Sequence, residues 1–473
     1  MGTGKGKTCF ERIEIKDRGV SAMNLRKVST FSIVLLSVSV LFYLFFAFFD
    51  GAVICVDSPS YIGMQSSREP LYPLILAFFR WIFQFAGEGF YLEAVVFFQS
   101  ILAAVAAFSM EEYLRKELNL SKACAVIVLI IPMAVSLLCR FAAKRGSMYS
   151  NSILTEGITI SLYLIFFRFL IEYMIHHTGK CLRICGALTL IMLLTRKQMM
   201  FALAMLLLAV IYVSIQKKNW RYGVLNLILC SILILGMNTV IDKGYNYAVR
   251  GEALTHSSDV RFVATIAFYV ADREDAERIE NPGFKELFLQ IYDSCNEQGY
   301  LRNSAGQGWN NRVSHFGDYY DCIQIDTMWP AINRYVEENY DCRQTQVSYY
   351  ADQVMKEISM DVLPAHIGDV ISVFLDNFRA GAVTTIAKKH PLLNWYSVFA
   401  YAAFAGMLMA CFAGYKDEKV RIIAVFTLLS IILNVGLVSI VIFCQTRYTI
   451  YNMALFYISM VLMADTLTGV RKR

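Results

Sequence analysis

An aspartate stands in a polar turn just beyond the first long apolar run of the chain, Asp57-Ser58-Pro59-Ser60-Tyr61, and Arg68-Glu69-Pro70-Leu71-Tyr72-Pro73 follows. An ionised carboxylate can take a proton from a reacting hydroxyl, and a guanidinium presents a planar fork that fits phosphate or carboxylate. Glu156 opens a later apolar run, Arg196 ends another, and Arg447 opens the last. All of them sit where apolar sequence gives way to polar. Each also has a plainer use. Asp57 is a favoured N-cap for a helix starting at Ser58 or Pro59. Asp50, at the end of the first run, is a rival base. Arg68 could snorkel to an interface, Arg196 with Lys197 could close a turn, and Arg447 could supply the charge that a short hairpin needs. Glu156 suits the first turn of a helix. Tyr61 and Tyr72 fit an interfacial aromatic belt, and Glu93 reads as interfacial.

The elements that must position these residues are membrane spans. Of the 473 residues, 57% are hydrophobic and 17% charged, against roughly 25% charged in a soluble domain. A bilayer core of about 30 Å takes roughly 20 apolar helical residues, and Thr30 to Phe49 provides such a run without one charge. The spacing predicts spans at 30–49, 90–110, 123–139, 152–175, 182–195, 199–215, 222–240, 391–414, 421–443 and 448–466. The expected fold is therefore an all-α integral membrane protein of about ten transmembrane helices. Its parts are a basic N-terminus (1–29), a transmembrane module (30–240) with a first outer loop at 50–89, a hydrophilic segment (241–390), further transmembrane helices (391–466) and a short tail (467–473). The first 29 residues are polar and basic, and the run after them fits an uncleaved span better than a signal peptide.

Orientation follows from basic residues. Lys5, Lys7, Arg12, Lys16, Arg18, Arg26 and Lys27 precede the first span. Arg115, Lys116 and Lys122, then Lys180 and Arg183, then Lys217, Lys218 and Arg221, then Lys416 and Lys419, and finally Arg471, Lys472 and Arg473 fall on the same side. That side reads as cytoplasmic. The opposite loops carry Arg140, Lys144, Arg145, Arg196, Lys197 and Arg447. This parity requires Leu71 to Ala86, which contains Arg80, to lie along the outer interface rather than cross, since an arginine at mid-bilayer costs roughly 2.5–3.5 kcal/mol. The hydrophilic segment then faces outside. Asn281 to Cys295 and Thr345 to Ile358 have helical character, and Asp361 to Arg379 reads as an interfacial helix leading into the eighth span.

The net charge of +6 is accounted for by cytoplasmic loops, and no clustered basic face with interleaved aromatics points to nucleic acid. The twelve cysteines form no zinc pattern. Cys295, Cys322 and Cys342 share the hydrophilic segment, where one disulfide is open. Gly-rich phosphate loops and zinc-protease helices are absent.

On Asp57, Tyr61 and the run Arg68 to Pro73, the sequence resembles the GT-C superfamily of polytopic glycosyltransferases, on the branch of the protein mannosyltransferases and the lipid A aminoarabinose transferase. Those enzymes place an acidic residue in the first outer loop, often as D-x-x-x-Y, before a P-x-Y-P-type interfacial helix. Leu154-Thr155-Glu156, Leu194-Thr195-Arg196 and Arg447-Tyr448 are further points of likeness. The resemblance covers most of 30–215 and 391–466, and 241–390 is weakly matched. It implies a GT-C-like fold with a mostly helical extracytoplasmic segment. It also implies inverting transfer of a sugar from a polyprenyl-phosphate carrier to an acceptor that is not identified: a protein, a lipid or a glycan. Asp57 would be the general base. Arg68, Arg196 and Arg447 would hold the donor phosphate, with Tyr61 and Glu156 in support. The first loop has no paired carboxylates at Asp57, so metal-independent chemistry with no cofactor is expected. A glycolipid flippase would show helices broken at mid-membrane in corresponding halves, and none is seen. An O-antigen-type polymerase would lack the early Asp motif.

Overall fold

The computed structural model describes residues 29–87, 89–142, 146–387, 390–414 and 417–469. The basic residues of 1–28, together with Lys144, Arg145, Lys416, Arg471, Lys472 and Arg473, lie outside that range. Among the described residues the regular elements are all helices, with one isolated bridge between Val53 and Ser152.

The transmembrane module begins with α1 (Thr30–Asp50), capped by the Ser29 hydroxyl. The short α2 (Ser58–Ile62) and α3 (Leu71–Ile82) follow, and then α4 (Phe90–Leu118), α5 (Lys122–Ala142), α6 (Glu156–His176), α7 (Gly179–Leu193), α8 (Met200–Gln216) and α9 (Trp220–Arg250). The hydrophilic segment folds as α10 (Val260–Val270), α11 (Pro282–Glu297), α12 (Trp309–Asp321), α13 (Trp329–Asn339), α14 (Val347–Val362) and α15 (Ile367–Ile386). A π-helical stretch, Cys322–Met328, joins α12 to α13. The chain then returns through α16 (Pro391–Ala413), α17 (Glu418–Val441), the single turn α18 (Thr446–Thr449) and α19 (Met453–Thr468).

Ten described helical stretches are long and apolar enough to cross a bilayer. All but one coincide with an expected span. The exception is Val347–Ile386, which takes the place of 182–195. That earlier region forms α7, only 15 residues long. The later stretch is not one straight rod, because α14 and the first half of α15 pack on the hydrophilic layer, where Asp369 pairs with Arg302 and Asp376 with Arg312. The α15 helix also runs past the expected end at Arg379. Its last turns pack on α17, and Gly381 makes that approach possible: a Cβ there would meet Val435 Cγ1 at 2.6 Å. The expected boundary after residue 240 falls inside α9, which continues as one helix of 31 residues, about 46 Å long and longer than the hydrocarbon core.

Side-chain contacts define the two ends of the bundle. At one end Glu117, near the end of α4, binds His176 of α6 at 2.8 Å and Lys419 of α17 at 2.6 Å. There too Ser32 of α1 meets Glu112 of α4, and Lys217, just past α8, donates to His177 O. At the other end Asp50 of α1 takes a forked pair from Arg140 of α5 at 2.7 and 2.9 Å, and Glu93 of α4 accepts from Ala52 N at 3.1 Å. Both ends of α3 belong to this second end, since Leu71 N donates to Leu194 O and Arg80 donates to Ile62 O and Tyr91. At 12 residues, α3 is about 18 Å long and lies across the bundle rather than through it.

Packing in the bundle depends on close approach and polar ties, because lipid tails give no hydrophobic drive for helix association. The α4 and α6 helices meet at Gly157, where a Cβ would fall 2.6 Å from Gln99 Cδ. The fully buried Gln99 accepts from Tyr72 and donates to Ser150 O and Ser152 O. Tyr61 and Tyr72 are buried with Leu76, Val95 and Ile158, so they belong to the core and not to an aromatic belt. Cys295, Cys322 and Cys342 are all free thiols.

Candidate active site

Three hydrogen-bonded clamps gather distant segments at the second end of the bundle. In the first, Val53 pairs with the strap before α6: Val53 N donates to Asn151 O at 2.9 Å and Ile153 N to Val53 O at 3.0 Å. Ser58 Oγ donates to Ile153 O at 2.8 Å. Asp57 is thereby fixed beside the segment that leads to Glu156. The second clamp joins Leu71 N to Leu194 O and Lys197 N to Glu69 Oε1, setting Arg68 beside Arg196. In the third, Gln198 Nε2 donates to Tyr448 O at 2.6 Å and to Asn434 Oδ1 at 2.9 Å, which brings Arg447 to the same place.

The result is one ion-paired cluster. Each oxygen of Asp57 meets a different arginine: Oδ1 takes Arg68 Nη2 at 2.8 Å and Oδ2 takes Arg447 Nη1 at 2.6 Å. Arg447 Nε also pairs with Glu156, which pairs in turn with Arg196. Arg68 further donates to Ser60 Oγ at 2.7 Å and Tyr61 Oη at 3.2 Å, with its guanidinium 4.4 Å from the Tyr61 ring centre. Asp57, Tyr61, Arg68, Glu156, Arg196 and Arg447 thus share one site although they come from four parts of the sequence.

The two carboxylates are not equivalent. The Glu156 side chain is fully buried, whereas that of Asp57 is 28% exposed. Glu156 is a sequestered counter-ion between two guanidiniums, and Asp57 is the carboxylate an incoming molecule can reach. Although Asp57 is the N-terminal neighbour of α2, its side chain makes no capping hydrogen bond, so the cap role falls away. Burial disfavours its charge, but Arg447 and Arg68 outweigh burial and hold its pKa below the ordinary aspartate value. Asp50, the rival base, is committed to Arg140, and Glu93 anchors the start of the loop.

Sequence reasoning missed the ion pairs that adjoin this cluster. Lys197 pairs with Asp259, and His256 lies between Asp242 at 2.6 Å and Asp259 at 3.1 Å. Burial disfavours the charged imidazole, yet the bonds to Asp242 and Asp259 push its pKa up to about 11. This strap, with Ser257 N donating to Ser66 O, ties the hydrophilic layer to the first loop. Residues 242 to 259 carry no motif, so the sequence held no signal for it. Arg261, one turn further on, was also missed.

Among the described residues no three His, Cys, Asp or Glu side chains converge as metal ligands. A recess of about 220 Å³ lies elsewhere, lined by Tyr269, Asp272, Arg302, Arg312 and Asp369. It is below the roughly 300 Å³ usual for a ligand pocket, and its arginines are held by Asp369 and Asp376. The chemistry points to the Asp57 cluster and not to this recess.

No family model matches the chain, and no curated protein matches it. Among solved structures, the crystal structure of ArnT from Cupriavidus metallidurans bound to undecaprenyl phosphate aligns with 94% of this chain and 79% of that chain, at 13% identity and a TM-score of 0.30. At that score the likeness carries no weight for fold or function.

Proposed function

We propose that the protein is a membrane glycosyltransferase that moves a sugar from a polyprenyl-phosphate carrier to an extracytoplasmic acceptor, with inversion. The observation that carries this reading is the convergence of an accessible carboxylate, Asp57, with Arg68, Arg196 and Arg447 at one end of a bundle of membrane-spanning helices. The expected excess of basic residues at the other end supports an extracytoplasmic position for the cluster.

The acceptor hydroxyl attacks the anomeric carbon while its proton passes to Asp57. The bond from that carbon to the phosphate oxygen breaks, and its electron pair leaves with the phosphate. Two arginines on Asp57 make it a weak base at rest. A donor phosphate competes for the same guanidiniums, and as Arg68 and Arg447 turn to it Asp57 becomes more basic at the moment it is needed. Once they have turned to the bound donor, arginines whose segments are held by the clamps need no further reorganisation when charge develops on the leaving phosphate, which is where electrostatic catalysis is strongest. Glu156 supports the reading differently, by holding Arg196 and Arg447 apart and in place.

The test is a lipid analysis of cells lacking the gene. A polyprenyl-phosphate sugar should accumulate, and re-expression of the wild-type chain but not of Asp57→Asn should clear it. Unchanged lipid-phosphate sugars in the deletion strain would overturn the reading.

A further inference from the structure

Arg261 sits in the first turn of α10, and the carboxylates of the site leave it unpaired. The segment that carries it is bound to the site on three sides. Ser257 N donates to Ser66 O of the first loop at 3.0 Å. Asp259 holds Lys197, the neighbour of Arg196. Tyr320 Oη donates to Val441 O at 2.9 Å and to Phe262 O at 3.4 Å, joining α10 to the end of α17 just before Arg447.

Among the described residues no carboxylate comes within ion-pairing range of Arg261. Its Nε is shielded from water and has no hydrogen-bond partner. The guanidinium rests against the rings of Phe262 and Trp329, 5.2 and 5.5 Å from their centres. Arg68, Arg196 and Arg447 are each held by at least one carboxylate. Burial, and then the nearby charge of Arg68, hold the Arg261 pKa below the ordinary arginine value. A cation in the first turn of a helix also opposes the helix dipole, and a buried donor without an acceptor is costly. Three penalties on one side chain make sense if a ligand supplies the missing acceptor.

We infer that Arg261 receives a phosphate oxygen of the lipid carrier, and that it serves the leaving phosphate more than the bound donor. This rests on the glycosyltransferase reading and assigns the anion-receiving group within it. The paired cluster holds three arginines against two carboxylates, a net charge of +1. A sugar phosphodiester carries one negative charge, so the cluster already balances the donor. The released phosphomonoester gains a second charge near neutral pH, its second pKa being about 6. Proton uptake by Asp57 brings the cluster to +2 during transfer. Once Asp57 gives that proton up the cluster returns to +1, and Arg261 supplies the second positive charge that the released phosphate then needs. Interactions stronger with the departing group than with the ground state are the ones that raise turnover.

The experiment compares two lipids of the same chain length, a polyprenyl monophosphate and the free polyprenol, binding to the full-length protein in nanodiscs. Arg261→Gln should weaken binding of the monophosphate about 10- to 100-fold, as expected for a lost charged hydrogen bond, and leave polyprenol binding unchanged. Arg261→Lys, which keeps the charge and loses the fork, should show a smaller loss confined to the monophosphate. Unchanged monophosphate binding by Arg261→Gln overturns the inference. An equal loss for both lipids also overturns it, since that marks a packing role against Trp329. If Arg261→Gln does not fold, Arg261→Lys decides by the same criterion: a selective loss supports the inference and no selective loss overturns it. A wild-type protein with no preference for the monophosphate over polyprenol overturns the carrier reading itself, and the inference with it.

Discussion

Replacing Glu156 by glutamine keeps the side chain's size and removes its charge. The site is unforgiving because Glu156 is fully buried, and Arg196 and Arg447, 13% and 24% exposed, both pair with it. Arg447 retains Asp57. Arg196 retains only a weak bond to Thr155 at 3.4 Å and the face of Tyr448 at 5.2 Å. The loss therefore falls on Arg196, which becomes a buried cation without a counter-ion. Breaking one side of a buried pair costs about 3–5 kcal/mol, a large part of a total stability on the order of 5–15 kcal/mol. Glu156→Gln should accordingly lower the melting temperature of the purified protein in detergent. The double variant Glu156→Gln with Arg196→Met should recover most of that loss, because removing both charges removes the penalty. Should Glu156→Gln melt with the wild type, or should the second substitution give no recovery, the buried counter-ion assigned to Glu156 does not exist.

Asp57→Asn should behave in the opposite way: transfer falls about 10²- to 10⁴-fold, while stability changes by about 1 kcal/mol or less, because the pairs at Asp57 are partly solvated. Near-normal transfer by the purified variant would remove Asp57 from the chemistry. Gly157→Ala forces a methyl group into Gln99, which three hydrogen bonds hold in place, and overpacking of this kind costs about 1–3 kcal/mol. Gly236→Ala, with nothing near its Cβ position, is the control, and equal melting temperatures for the two variants would contradict the tight α4–α6 contact. Two groups at and beside the site give testable contributions to the pH dependence of stability. Asp57, with a lowered pKa, contributes stability that is present above about pH 4 and lost only as pH falls further, so it adds no slope at neutral pH. His256, raised to about 11, contributes stability that is full below about pH 6.5 and lost as pH rises towards 11. Melting temperature should therefore fall between about pH 7 and 10 in the wild type and fall less in His256→Gln, and identical slopes would show that the strap does not depend on a charged imidazole.

Local composition was enough to reveal the membrane class and most of the spans. A run such as Thr30 to Phe49 needs no partner to declare itself, because bilayer thickness sets its length and the absence of charge sets its medium. The polar-to-apolar borders likewise marked Asp57, Arg68, Glu156, Arg196 and Arg447 as candidates. Hydropathy failed where packing rather than solvent chose the structure. Residues 179–193, expected as a span, form a helix of only 15 residues that packs on α6, α8 and α9, and the stretch ending at Ile386 is apolar enough to span yet spends its first half on the hydrophilic layer.

Only the tertiary structure decided which candidates meet. Sequence spacing cannot bring Asp57 to Arg447, nor Glu156 to Arg196, because those meetings depend on hydrogen-bonded clamps such as Val53 with Asn151 and Ile153, and Lys197 N with the Glu69 carboxylate. It also separated the roles of the two acids: burial made Glu156 a counter-ion and exposure left Asp57 accessible. It turned Asp50 away to Arg140 and brought in His256, Asp259 and Arg261, whose surroundings in sequence carry no signal. A residue's type can be read from the chain, but its charge partners and its access to water exist only after distant segments have folded together.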